Sequence, residues 1–108
     1  MIHIGDLRRR VVLEREQRSD DGGGGATVAW QVVATVWAAI KPLSGREKDR
    51  YQGLEATLSH RVTLRYRADV MPDMRLRMSG RVFDIRAVFS PDERRQWLIC
   101  LCREIVRP

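Results

Sequence analysis

Two cysteines, two histidines, a spaced pair of aspartates and a run of glycines are the residues of this 108-residue chain whose types could do chemistry. Cys100 and Cys102 stand two apart in Ile99-Cys100-Leu101-Cys102, which on a strand puts both thiols on one face. A metal site there needs two further soft or imidazole ligands. His3 and His60 are the only histidines and have no spacing that brings them close, so the cysteines read as small hydrophobes filling a core. His60 could serve as a general base, yet no serine or cysteine beside an orienting carboxylate makes an acyl-transfer signature, and it reads as a strand-edge residue. Asp69 and Asp73 flank Met71-Pro72. Paired carboxylates can hold a metal or share a proton, but turns also select aspartate, and the turn is the preferred reading. Gly22 to Gly25 lacks the following helix with Lys-Ser or Lys-Thr that a phosphate cradle requires, because Ala26-Thr27-Val28 leads into a strand. No catalytic, cofactor or metal set emerges, and the chain is not expected to be an enzyme.

What remains is charge. The count of 20 Lys+Arg against 14 Asp+Glu gives a formal charge of +6, which attracts polyanions or an acidic protein face. Only Lys41 and Lys48 are lysines, and the arginines that make up the rest offer planar, forked hydrogen bonds suited to interfaces. Arg61, Arg65 and Arg67 project from one strand face and Arg75 and Arg77 from the next, so a positive stripe is expected on one side of a sheet. Such a stripe fits a solvated face, contacts to DNA phosphates without sequence readout, or salt bridges to acidic partner subunits. Base stacking on single strands is less persuasive, because Tyr66 is the one aromatic among these arginines.

The elements that must carry these residues are mostly strands. Leu7 to Gln17, with Val11, Val12 and Leu13 among arginines and glutamates, predicts a strand with one solvated face; Ser19 to Gly25 then predicts a flexible hairpin tip or interstrand loop. Val28 to Leu43 predicts one or two strands that end or reach an edge at Pro42, and Trp30, Trp37 and Trp97 are the expected core anchors. Ser44 to Leu58 predicts a short amphipathic helix, capped by Ser44 with Glu47 three residues on. Tyr51, Leu54 and Leu58 share its apolar face, and Gly53 weakens it. Further strands are predicted over His60 to Arg67, Met74 to Met78, Val82 to Phe89 and Gln96 to Val106, with tight turns at Ser79-Gly80 and Ser90-Pro91-Asp92. The fold class is therefore mostly β: a small antiparallel β-barrel or sandwich, with one short helix or long loop inserted between the early and late strands, in one domain over residues 1–108.

Composition agrees with a compact body. Hydrophobic residues make up 44% of the chain, charged residues 31% and aromatics 6%, which argues against disorder throughout and against a membrane span. Two cysteines make no disulfide framework and fit a reducing cytoplasm; the N-terminus is too short and polar for a signal segment, so a soluble protein made inside the cell is expected.

The order of these segments resembles a known family. Gly5-x-Leu7-Arg8-x-Arg10-Val11-x-Leu13, Asp20-Asp21-Gly22-Gly23, Trp30 and Val36-Trp37-Ala38-x-Ile40-x-Pro42-Leu43-x-Gly45 resemble the N-terminal half of phage head-tail joining proteins. Ser59-His60-Arg61-Val62-Thr63-Leu64-Arg65-Tyr66-Arg67, Gly80-Arg81-Val82-Phe83-Asp84-Ile85 and Asp92-x-x-Arg95-x-Trp97-Leu98 continue the match. The resemblance spans nearly the whole chain and lies in the ordered set. It implies a small β-barrel acting as the head-closure or stopper ring of a tailed-phage neck, a family also found in prophages and gene transfer agents. The implied assembly is a dodecameric ring of copies of itself, set between portal or adaptor proteins and tail terminator or tail proteins and holding packaged double-stranded DNA by non-specific contacts. No membrane is involved: the protein is made in the bacterial cytoplasm and built into the particle. In that role Arg46, Lys48 and Arg50 are expected to face the channel and the DNA end, with Glu47, Asp49 and Glu55 limiting the affinity, and Arg61, Arg65, Arg67, Arg75 and Arg77 to form an inter-subunit or partner surface. The glycine loop is expected to order against a neighbour. The alternative is a small basic nucleic-acid-binding β-barrel acting as a free regulator.

Overall fold

The computed structural model of the protein describes residues 2–20 and 22–105. A 3-10 turn at Ile4–Asp6 precedes strands β1 (Arg9–Asp20) and β2 (Ala26–Pro42), helix α1 (Gly45–Tyr51), and strands β3 (His60–Arg65), β4 (Arg75–Met78), β5 (Arg81–Phe89) and β6 (Trp97–Ile105). All pairings are antiparallel, and the strands close into a barrel in the order β1-β2-β3-β6-β5-β4, with β4 returning to β1. Closure leaves no free edge around the barrel wall.

Alternation fills the interior. Val11 and Leu13 of β1, Val62 and Leu64 of β3, Leu76 of β4, Phe83 and Ile85 of β5 and Leu98, Cys100 and Cys102 of β6 point inward and are buried. Each side chain of valine size or larger so buried contributes about 1.5–3 kcal/mol relative to exposure. The opposite face of β6 carries Leu101, also fully buried, because Leu43 and Leu58 on either side of α1 fold over it with Tyr51, Ala87 and Ile99. The barrel thus has one inner core and one smaller outer cluster that fastens the α1 segment.

The hairpin of β1 and β2 is longer than the barrel. β4 pairs with β1 only at Val12, Leu13 and Glu14, and β3 pairs with β2 only from Ala38 to Pro42, while β1 and β2 pair with each other out to Asp20 and Ala26. A bulge between Leu13 and Glu14, where Val33 is the extra residue, marks the point of departure; bulges bend and twist a ribbon. Beyond it a two-stranded arm projects, consistent with principal extents of 51 × 28 × 27 Å.

Most predicted elements are present, with corrected ends. β1 runs through Asp20, so Ser19 and Asp20 belong to the arm and the turn is tighter than expected; Asp21 lies outside the described residues, as does Val106, the expected end of the last strand. Val28 to Leu43 is one strand ending at Pro42. Ser79 (φ 47°) and Gly80 (φ 82°) make the two-residue turn from β4 to β5, the left-handed geometry that such hairpins need. The helix stops at Tyr51: Gln52 and Gly53 fall in a turn, and Leu54 is 65% exposed instead of sharing an apolar face with Tyr51 and Leu58. The tryptophans are not core anchors. Trp37 is 55% exposed and Trp30 and Trp97 are half-buried: the barrel interior is filled by aliphatic residues and Phe83, and Trp30 sits on the arm, paired with Glu16 beyond the barrel wall.

Candidate functional site

The α1 segment turns Glu47 and Glu55 onto the barrel and leaves Arg46, Lys48, Asp49 and Arg50 exposed. Ser44 Oγ accepts from the Glu47 amide at 3.2 Å and Glu47 Oε1 accepts from the Ser44 amide at 3.3 Å, the capping box expected from sequence. Glu47 Oε2 also takes a 2.8 Å bond from Arg61 of β3. Past the helix, Glu55 accepts from Arg86 of β5 at 2.7 Å and from Arg103 of β6 at 3.3 Å, and Arg103 reaches Asp84 at 3.1 Å. A hydrogen bond from the Thr57 hydroxyl, then those from the arginines, hold the Glu55 carboxyl below its ordinary range. Glu47 and Glu55, two of the three carboxylates expected to limit the affinity of the neighbouring cations, turn back onto the barrel and clamp the segment to it. Arg46, Lys48 and Arg50 are exposed and have no ion-pair partner among the described residues, and Lys48 and Arg50 lie in the last turn, where the helix dipole favours cations. The exposed charges of α1 are thus three cations and Asp49, a net positive set.

The expected arginine stripe does not form. In the barrel order β3 and β4 lie on opposite sides, with two strands between them in either direction, because the chain from Tyr66 to Met74 crosses to the far wall. Arg61 is held by Glu47, and Arg67 by Asp69 through bonds of 3.0 and 2.9 Å. Arg75 and Arg77 both reach Glu14, at 2.7 and 3.4 Å, and Arg75 lies 4.1 Å from the centroid of the Trp30 ring. Arg65 stands over Trp97 at 5.8 Å and has no carboxylate partner among the described residues. Glu14, only 4% exposed, was not singled out in sequence. Its partners are on a strand brought alongside by barrel closure, and nothing near it in the chain signals them.

The residues with chemical potential are spent on structure. Cys100 and Cys102 point into the core with thiols pushed up by burial, Cys100 to about 12. Ser59 Oγ accepts the Glu104 amide at 2.8 Å, sits 2.8 Å from His60 Nδ1 and 3.4 Å from the Cys102 carbonyl, tying the start of β3 to β6. His60 packs edge-on against Phe83 at 5.1 Å, and its Nε2 is 3.9 Å from Glu104, which Arg81 engages with two bonds of 2.8 and 3.0 Å. Asp73, with φ 75°, occupies a turn. An open groove lined by Ile4, Leu7, Val36, Trp37 and Tyr66, with Arg65 and Arg67 at its rim, adds an apolar surface beside β2.

These features define a small closed β-barrel protein with a projecting hairpin, exposed cations on α1 and exposed Val28, Val32 and Trp37 on β2. The chain belongs to the phage head completion protein family, whose model matches residues 2–105. It is similar in structure to protein SF1141 from Shigella flexneri 2a, with a TM-score of 0.79, 30% identity, and coverage of 95% of this chain and 96% of that one. It is also similar to a chain of the virion of a native gene transfer agent particle, with a TM-score of 0.64, 28% identity, and coverage of 94% and 97%. No curated protein matches the sequence significantly. Among the described residues, no helix is long and apolar enough to cross a membrane.

Proposed function

We propose that this chain, acting as one domain, closes the DNA-filled head of a phage or phage-like particle, forming a ring between portal or adaptor and tail and offering the tail its platform. The family match over residues 2–105 carries this reading, and the likeness to a gene transfer agent virion chain supports it. In the proposed ring, twelve copies present Arg46, Lys48 and Arg50 toward the channel. Their exposure, without an ion-pair partner among the described residues, suits many weak, salt-sensitive contacts to phosphates, which retain DNA and still release it. The proposed inter-subunit surface narrows to Arg65, since Arg61, Arg67, Arg75 and Arg77 are engaged within the chain. That same engagement takes four of these five arginines from the surface a free, monomeric DNA-binding regulator would use. Synthesis in the bacterial cytoplasm followed by incorporation into the particle neck belongs to the same proposal. The test is deletion of the gene and electron microscopy of the particles: full heads without tails, or heads that leak DNA, are expected, and sealed, tailed particles overturn the reading.

A further inference from the structure

The arm has two open edges. From Ala26 to Trp37, β2 has β1 on one side and no strand on the other among the described residues; from Arg15 to Asp20, β1 is open in the same way on the opposite side of the ribbon. Open edges present rows of unpaired amides and carbonyls, and natural proteins guard them with lysine, proline or inward charge. The β2 edge has no such guard. Between Ala26 and Ile40 the sequence contains no charged residue and no proline, while Val28 and Val32 are 48% and 56% exposed. A strand of this length and composition is built to be covered.

We infer that the edge of β2 is covered by the β1 edge of a second copy, so that the arms of neighbouring subunits join into one continuous intermolecular sheet. This rests on the ring reading above. Three features favour that occupant. The two open edges lie on opposite sides of one ribbon, which makes a head-to-tail contact, the type that closes into a ring. Within each arm β1 and β2 run antiparallel, so rotation about an axis along the arms brings the neighbour's β1 antiparallel to β2, with no inversion of any subunit. The arriving β1 carries Arg15, Glu16 and Arg18, and an uncharged β2 sets no like charge against them. A β2-to-β2 pairing would leave both β1 edges open, whereas a circle of β1-to-β2 pairs leaves none.

The test uses assembled particles. Ser19, Gln17 and Arg15 on β1 pair with Thr27, Ala29 and Gln31 on β2, so all six lie on one ribbon face, and all six are exposed. Cysteine is placed at one β1 position (Gln17→Cys, then Arg15→Cys or Ser19→Cys) in one tagged copy and at one β2 position (Gln31→Cys, then Ala29→Cys or Thr27→Cys) in a second, differently tagged copy. Thermal melting verifies each variant's fold, and particles holding both are treated with a short bismaleimide; the native thiols are buried and stay silent. Heterodimers formed only when a β1 and a β2 variant are both present are the expected result. Dimers from a β2 variant alone show β2-to-β2 pairing and overturn the inference. No cross-link in any combination, in closed particles that contain the chain, also overturns it and leaves the head-closure reading standing. Particles lacking the chain defeat both.

Discussion

The Arg75 guanidinium donates to Glu14 at 2.7 Å across the seam where β4 closes the barrel on β1, and its other face lies 4.1 Å from the Trp30 ring centroid. One side chain therefore joins the closing strand, the β1 residue beside the bulge and the base of the arm. Glu14 is 4% exposed and also lies 3.4 Å from Arg77.

Removing one member of such a clasp leaves its partner desolvated and unpaired. Glu14→Ala is expected to lower stability by about 3 kcal/mol, read from the midpoint of urea unfolding, and Glu14→Gln, which keeps a hydrogen-bond acceptor, by less. A loss below about 1 kcal/mol for the alanine variant would mean that the ion pair does not hold the seam.

The buried thiols give a direct readout of barrel closure. Desolvation holds Cys100 at about 12 and Cys102 well above its ordinary value, so almost no thiolate exists at neutral pH. Alkylation of the native protein is expected to be slow and to accelerate only with unfolding, as mass spectrometry after timed exposure to iodoacetamide in increasing urea will show. Prompt modification in the absence of denaturant contradicts a closed interior.

Stability is expected to fall with acid in two stages. Burial pushes the His60 imidazole below its ordinary value; Glu104 opposes that shift, and Arg81 and Lys48 reinforce it. The folded state then binds this proton less readily than the unfolded one. The contribution of His60 is complete above about pH 6.5 and declines as pH falls from there toward the folded pKa. Glu55, through Thr57 and Arg86, and Glu104, through Arg81, are held below the ordinary carboxylate range. Their contribution is present above about pH 4.3 and is lost as pH falls through their folded values. Melting temperatures measured from neutral pH downward should show both declines, and His60→Gln should flatten the upper one while sparing the lower. A melting temperature that rises between about pH 7 and 5.5 rejects this assignment.

Much of this was legible in the residues because it depends on near neighbours in the chain. The Ser44–Glu47 cap, the Ser79-Gly80 turn and the inward alternation of Val62 and Leu64 follow from local geometry, and the ordered motifs along the chain were enough to suggest the family. The two cysteines read as core hydrophobes for the same reason: period-two alternation places them with Leu98. Tertiary structure decided what alternation leaves open, namely which strand lies beside which. The 66–74 crossing separates Arg61 and Arg65 from Arg75 and Arg77 and dissolves the stripe that their spacing suggested. Closure of β4 on β1 gives Glu14 its cations, and the fold of the α1 segment over β6 buries Leu101 on what would otherwise be a solvent face. An interior already filled by aliphatic residues and Phe83 keeps Trp37 and Trp97 outside, and Trp30 lies on the arm beyond the barrel. Side-chain periodicity is a property of the local backbone, but partnership is set by loop closure and packing over long sequence separations, and only the closed barrel fixes it.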